Sequence, residues 1–104
     1  MVACERQDLV SRATCLAQAP TGVRMNEEGE MGLGWVRTER EGRTVIWHNG
    51  GTGRYSTFLG FAAGSGGRRE SQRGLVILTN VGFLHEIDGL AIEAILNRSS
   101  ELER

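Results

Sequence analysis

Lysine is absent from the sequence, so its 12 basic side chains are all arginines. They are opposed by 13 acidic residues, which gives a net charge of -1 with both signs scattered along the chain. Recognition of nucleic acid relies on a concentrated positive surface. The charge pattern therefore excludes nucleic acid as an expected partner.

Long hydrophobic runs are also lacking. The longest clearly apolar stretch, Gly74 to Thr79, is far shorter than the roughly 20 residues that cross a bilayer. The N-terminus has no basic region followed by an apolar one, as a signal peptide would. We therefore expect no membrane partner and, by default, a cytoplasmic location, while a larger parent protein with a signal upstream of Met1 could be periplasmic or extracellular.

Potential metal ligands are few, since the chain has two cysteines and two histidines. Cys4 and Cys15 lie in a segment that reads as one helix, which separates them by roughly 16 Å along its axis and prevents a disulfide within it. We expect two ordinary thiols. His48 and His85 add no recognisable ligand spacing, so no metal or other cofactor is expected.

The 104 residues, 39% of them apolar, predict one globular domain spanning 1–104 with a single core. An N-terminal helix from Ala3 to Ala19 is predicted by an apolar stripe at helical spacing: Leu9, Val10, Ala13, Leu16 and Ala17. A C-terminal helix ending near Asn97 or Arg98 is predicted by a second stripe: Ile87, Leu90, Ala91, Ala94 and Ile95.

Between the helices, turn-forming residues alternate with runs rich in β-branched, aromatic and apolar side chains. The predicted order is a loop over 21–30, a hairpin of Met31–Glu39 and Thr44–Trp47, a strand Tyr55–Ala63, a mobile loop over 64–73 and a strand Leu75–Leu78. Because strands follow one another without βαβ units, the expected class is α+β. We expect an antiparallel sheet of about four strands, flanked on one face by the N- and C-terminal helices.

The residues alone leave the chemistry open. The run Gly50-Gly51-Thr52-Gly53 could cradle an anion, but a tight turn is the simpler interpretation, with at least one glycine at backbone angles that other residues tolerate poorly. His48 ends a strand and is more often structural than catalytic there, and His85 is expected at the surface. A triad drawing on Ser56 and Asp88 is compatible with the composition, although no Gly-x-Ser-x-Gly sequence occurs.

Three stretches are familiar as a set: Met31-Gly-Leu-Gly-Trp35, Ile46-Trp-His-Asn-Gly-Gly-Thr-Gly-Arg-Tyr-Ser-Thr-Phe-Leu-Gly-Phe61 and Gly74-Leu-Val-Ile-Leu-Thr-Asn80. In order and spacing they resemble the C-terminal region of the superfamily of class C β-lactamases, penicillin-binding proteins and serine esterases. The resemblance covers roughly residues 31 to 96, and more weakly the first helix. It implies a partial β-lactamase-like fold.

In that family a strand beside the active site carries Lys or His, a small polar residue and Gly, which His48-Asn49-Gly50 match. The resemblance implies that His48 helps to hold the substrate carboxylate and that the N–H of Gly51 forms half of an oxyanion hole. The implied substrate-binding set is therefore His48, Asn49, Gly50, Gly51 and Thr52. The implied ligands are β-lactams, esters or peptides.

The departures from the family concern catalysis. Its nucleophile is the serine of Ser-x-x-Lys, which a chain without lysine cannot form, and its second motif, Tyr-x-Asn, is missing because the single tyrosine, Tyr55, precedes Ser56-Thr57. The family's helical domain and N-terminal strands have no counterpart in 104 residues. No catalytic residue is therefore assigned, and the chain is expected to be inactive alone, with weak hydrolysis through His48 or Ser56 as a minor alternative.

The second functional hypothesis belongs to another class. A sheet that lacks the family's N-terminal strands has an open edge, and such an edge can pair with another chain. The chain would then be an autonomous interaction module. Self-association through that edge is its simplest form.

Overall fold

The computed structural model describes residues 7–27, 29–40, 42–63 and 73–102, with side chains up to residue 96 in the last segment. Its elements in chain order are α1 (Leu9–Gln18), β1 (Gly29–Met31), β2 (Val36–Arg40), β3 (Arg43–Gly51), β4 (Ser56–Ala62), β5 (Gly74–Thr79) and α2 (Glu86–Leu102). The strands form one antiparallel sheet in the order β1-β2-β3-β4-β5. The predicted α+β class is confirmed, with five strands in the described residues instead of about four.

The additional strand arises where a single strand was expected between Met31 and Glu39. A turn interrupts it, with the Gly32 N–H donating to the Trp35 carbonyl at 2.8 Å and Gly34 at a φ of +79°. A Cβ at Gly32 would also lie 2.6 Å from the Ala17 carbonyl oxygen. The Gly-Leu-Gly-Trp stretch is thus a turn and not a strand, and β1 combines Gly29 and Glu30, which were expected in a loop, with Met31, which was expected in a strand.

The remaining strands follow the predicted pattern. Gly42, in the predicted turn between β2 and β3, has a φ of +76°, which favours glycine. β3 then pairs with β4 over its whole second half, and β4 pairs with β5 from Ser56–Thr79 to Phe61–Gly74. The predicted mobile loop over 64–73 lies, except for Arg73, outside the described residues.

The core lies between α2 and one face of the sheet, because α2 packs on β3, β4 and β5. Its buried apolar side chains are Val45, Phe58, Ala62, Ile87, Ala91, Ile92, Ile95 and Leu96. Trp47 stacks on Phe58 at its margin, with ring centroids 5.5 Å apart. The predicted stripe is displaced, since Leu90 is 65% exposed, and the helix continues to Leu102, past the predicted end.

The first helix differs more from its prediction. It begins at Leu9, after the N-cap Asp8, whose carboxylate accepts from the Ser11 N–H at 2.9 Å. Leu9, Val10 and Leu16 are 79%, 75% and 66% exposed, so the predicted apolar stripe is not the buried face. The buried side chains are instead polar, Ser11 and Gln18.

The C-terminal end of α1 is hydrogen-bonded to the sheet region. The Leu33 N–H donates to the Ala17 carbonyl at 2.7 Å, and the Arg37 guanidinium donates to the Gln18 carbonyl at 2.5 Å. Among the described elements α2 packs on three strands, whereas α1 has no comparable packing on a strand, so the expectation that both helices flank one face of the sheet is not met. The face opposite α2 is named the open face.

Cysteine chemistry also differs from expectation. Cys15 is disulfide-bonded, so the prediction of two ordinary thiols is wrong. That prediction assumed a helix reaching back to Ala3, whereas α1 begins at Leu9. Cys4 lies outside the described residues. No helix in the described part of the chain is both long and apolar enough to span a membrane.

Candidate functional site

The second half of β3 has a neighbouring strand on only one side. The β2–β3 ladder ends at the pair Val36–Trp47, whereas the β3–β4 ladder continues to the pair Gly51–Ser56. In the described residues, β3 therefore extends from His48 to Gly51 with its β2 side unpaired. The turn immediately before Val36, where β2 begins, creates this opening.

The alternation of backbone groups determines what the opening presents. The Thr44 carbonyl accepts from the Ala63 N–H at 2.9 Å, so it points toward β4. Backbone groups of an antiparallel strand alternate between its two neighbours with a period of two. His48 and Gly50 therefore point their backbone groups toward β4, while those of Asn49 and Gly51 point outward. We call Asn49–Gly51 the free β3 edge.

His48 is exposed and lies on the open face, directly across from Leu59, which in turn lies across from Val76. Its Nδ1 atom is 2.6 Å from the Asn49 carbonyl oxygen. This contact is a hydrogen bond when Nδ1 carries the proton, which leaves Nε2 as the acceptor of the neutral ring. The imidazole is thus positioned beside the free β3 edge.

Asn49 has its side chain on the other face of the sheet. Its Nδ2 donates to Asp88 Oδ2 at 2.6 Å, which joins the end of β3 to the first turn of α2. The second carboxylate oxygen, Asp88 Oδ1, is buried without a hydrogen-bond partner in the described residues. A small pocket lies around this pair, lined also by Gly51, Phe83 and His85.

The hydroxyl groups of Ser56 and Thr52 are hydrogen-bonded to backbone groups of nearby turns. The Ser56 side chain is buried, and its Oγ donates to the Val81 carbonyl at 2.7 Å and accepts from the Leu84 N–H at 2.8 Å. The Thr52 Oγ1 accepts from the N–H groups of Arg54 and Tyr55 at 3.2 and 3.1 Å. Ser56 therefore contributes to the structure of the β4 and β5 ends.

The glycines of the cluster differ from expectation. Positive φ among the described glycines occurs at Gly22, Gly34 and Gly42, and not at Gly50, Gly51 or Gly53, so the predicted strained angles are absent there. At Gly50 the constraint is lack of space and not a backbone angle, because a Cβ there would lie 2.7 Å from the Thr57 hydroxyl oxygen. A Cβ on Gly53 would meet open space.

No catalytic triad is assembled from the described residues. Asp88 accepts from Asn49 and not from a histidine, and the Ser56 hydroxyl is bonded to backbone groups. His85 is exposed, as expected, with its ring 6.5 Å from the Phe83 ring. The described residues also contain no group of three or more His, Cys, Asp or Glu side chains that could hold a metal ion.

Sequence reasoning did not find the pairing of Asn49 with Asp88. The two residues are 39 positions apart, so no local pattern connects them. Phe83 was also missed, although it has a φ of 51° and its ring would lie 3.7 Å from a Cβ on Gly51. No protein-family model, curated protein or solved structure matches this chain.

Proposed function

We propose that the chain is the C-terminal segment of a β-lactamase-like serine hydrolase, and that its free β3 edge forms one wall of a cleft for a β-lactam, ester or peptide. One observation carries the proposal. A histidine side chain and an outward-pointing peptide N–H, those of His48 and Gly51, lie three residues apart at the uncovered end of one strand.

The chemistry of such a wall follows from these two groups. An acyl substrate in extended form can pair with the free β3 edge as an added strand would, which orients its carbonyl toward the Gly51 N–H. A fixed N–H stabilises the negative charge that develops on such an oxygen. His48 lies three residues earlier in the strand, about 10 Å from Gly51 along it, and its ring, when protonated, can hold a substrate carboxylate at that end.

The same groups do not amount to a complete hydrolase. Acyl transfer needs an activated nucleophile, and the chain has no lysine to activate a serine as the family does. Ser56 is buried, with its hydroxyl engaged at both ends. The segment therefore binds an acyl ligand weakly and leaves it intact.

Uncovered apolar surface supports the view that the segment is completed by other structure. Leu59, Val76 and Leu78 on the open face are 47%, 59% and 78% exposed. The apolar side chains of Leu9, Val10 and Leu16 on α1 are exposed as well. Apolar surface of this kind is typical of regions that another polypeptide covers.

The test combines binding and chemistry on the same sample. In amide NMR spectra, benzylpenicillin is expected to shift the Asn49–Gly51 resonances, and His48→Ala is expected to weaken this effect several-fold. His85→Ala is the matched control, because it removes the other exposed histidine and leaves the free β3 edge intact. Intact-mass spectra after incubation are expected to show no acyl adduct.

Three results would contradict the proposal. A stoichiometric penicilloyl adduct on any serine would mean that the chain is itself a catalyst. Shifts confined to residues away from the free β3 edge, or equal losses in the two histidine variants, would mean that His48 and Gly51 do not form a binding wall.

An autonomous interaction module is the second candidate. It is favoured by β5, an edge strand of six residues without a charged side chain. The function would be association through this edge and would need no substrate.

A further inference from the structure

The two edges of the sheet have opposite properties. β1 has three residues, includes Glu30, and is followed outward by a bridge between Arg24 and Glu30. Short length, charge and local cover are the devices that keep a sheet edge from pairing with other chains. β5 has none of them in the described residues, since its sequence is Gly-Leu-Val-Ile-Leu-Thr and no described strand lies beyond it.

The outward-pointing groups of β5 can be assigned. The Arg73 carbonyl accepts from the Ala62 N–H at 2.7 Å, so it points toward β4. With a period of two, Leu75, Ile77 and Thr79 also point their backbone groups toward β4. The N–H and C=O groups of Gly74, Val76 and Leu78 therefore point outward, and their side chains lie on the open face.

We propose that β5 pairs antiparallel with β5 of a second copy of this chain, around a two-fold axis at Val76. In this register Val76 lies opposite the partner's Val76, and Leu78 lies opposite the partner's Gly74. All three outward-pointing residues then form hydrogen-bonded pairs, each with about two N–H···O bonds. The result is one continuous sheet with both copies of α2 on the same face.

Three features favour a second copy over an unrelated strand. An isologous interface must be self-complementary, and β5 has no charge that would face its own copy. The large Leu78 side chain lies opposite a glycine of the second copy, so no pair in this register brings two large side chains together. The exposed Val76 and Leu78 side chains of both copies become neighbours on the open face and shield one another from water.

The proposal rests on the interaction-module function and is independent of ligand binding at β3. Sedimentation equilibrium of the whole chain is expected to give twice the chain mass of 11.4 kDa. Val76→Pro removes one outward N–H without touching the β4 ladder, a position where an edge strand tolerates proline. It should raise the dimer dissociation constant by about tenfold or more.

Three further variants keep the test decisive. Val76→Glu places two carboxylates across the axis and should also give monomers. Val76→Thr keeps the N–H and the β-branched shape and should remain dimeric. Leu59→Glu adds charge to the open face but one strand further in, so it should leave the dimer intact, with folding of each variant checked by far-UV circular dichroism.

The outcomes separate the models. A monomeric wild-type chain at high concentration overturns the proposal, and so do open-ended oligomers. Dissociation by Leu59→Glu but not by Val76→Pro would mean that copies pack face to face, which also overturns edge pairing. Because His48 and Gly51 lie on β3, a folded Val76→Pro monomer that still shows the benzylpenicillin shifts would leave the hydrolase proposal unaffected.

Discussion

Loss of the Asn49 side chain is expected to destabilise the fold more than loss of its neighbour His48. Asn49→Ala removes the 2.6 Å hydrogen bond to Asp88 that joins β3 to α2. The other carboxylate oxygen of Asp88 is already buried without a hydrogen-bond partner among the described residues, so the variant would leave both oxygens unpaired within that part of the chain. His48 is exposed, and in the described residues its ring is hydrogen-bonded to the carbonyl of the next residue.

The magnitude follows from the type of bond. A hydrogen bond to a charged group contributes about 1.5–3 kcal/mol. Both side chains are partly exposed, so solvent screening places the value near the lower limit. Asn49→Ala should therefore cost about 1.5 kcal/mol, or roughly 6–12 °C in Tm for a domain of this size. His48→Ala should stay within about 0.5 kcal/mol of the wild type, as for most surface positions.

Urea unfolding, followed by tryptophan fluorescence at one fixed protein concentration, measures both changes. A double-mutant cycle with Asp88→Ala isolates the pair, and the double variant should cost little more than the larger single change. The reasoning is refuted if Asn49→Ala unfolds at the wild-type urea concentration. It is refuted equally if His48→Ala is the more damaging of the two, since His48 would then be a structural residue.

Two further predictions concern a helix cap and a close backbone approach. Hydrogen bonds from the Ser11 N–H and hydroxyl lower the pKa of Asp8 below its usual value of 3.8, so this cap should stabilise α1 above about pH 4 and lose its effect as the pH falls through the lowered pKa. Carboxyl NMR should give a midpoint below 3.8, and one at or above 3.8 would contradict the cap. Gly82→Ala should cost about 2 kcal/mol or more in urea unfolding, because its Cβ would overlap the Gly53 carbonyl, whereas Gly53→Ala faces open space and is the control. Equal midpoints for these two variants would contradict the close approach.

The sequence predicted the centre of the fold well because local preference and burial agree there. The β-branched and aromatic run that became β3 and the apolar run that became β5 both form strands. The C-terminal helix was found for the same reason, since its stripe faces the sheet with only Leu90 and Ala94 turned away. In these segments one periodic pattern determines both the element and its buried face.

The prediction for α1 was wrong because its apolar side chains were assumed to be the buried ones. α1 has helical periodicity, yet Leu9 and Leu16 are exposed while Ser11 and Gln18 are buried. Periodicity specifies that a helix is amphipathic but does not specify what covers its apolar side. The same limit applies to Gly32, whose role depends on the Ala17 carbonyl of a different element.

The candidate site illustrates a second limit, because its key feature is an absence of pairing. The His-Asn-Gly motif was visible in the sequence, but the length of β2 was not. Had β2 continued in the same register to four residues before Val36, Gly34 would have paired with Asn49 and Gly32 with Gly51, which would have closed the free β3 edge. The opening depends on the turn at Gly34, which was predicted as strand. Local residue preferences could not therefore reveal whether the motif was accessible.

Because side chains alternate between the two faces of a strand, His48 and Asn49 make different contacts. Asn49 turns inward and fixes the end of β3 to Asp88, while His48 turns to the open face. Gly50 and Gly51 have no side chains, and Gly50 has no room for one beside the Thr57 hydroxyl. A ligand at the free β3 edge would therefore meet bare backbone between the imidazole at one end and the exposed Phe83 ring near the other. Selectivity for a ligand would have to come from these two rings, because the backbone between them can recognise only an extended chain or a carbonyl.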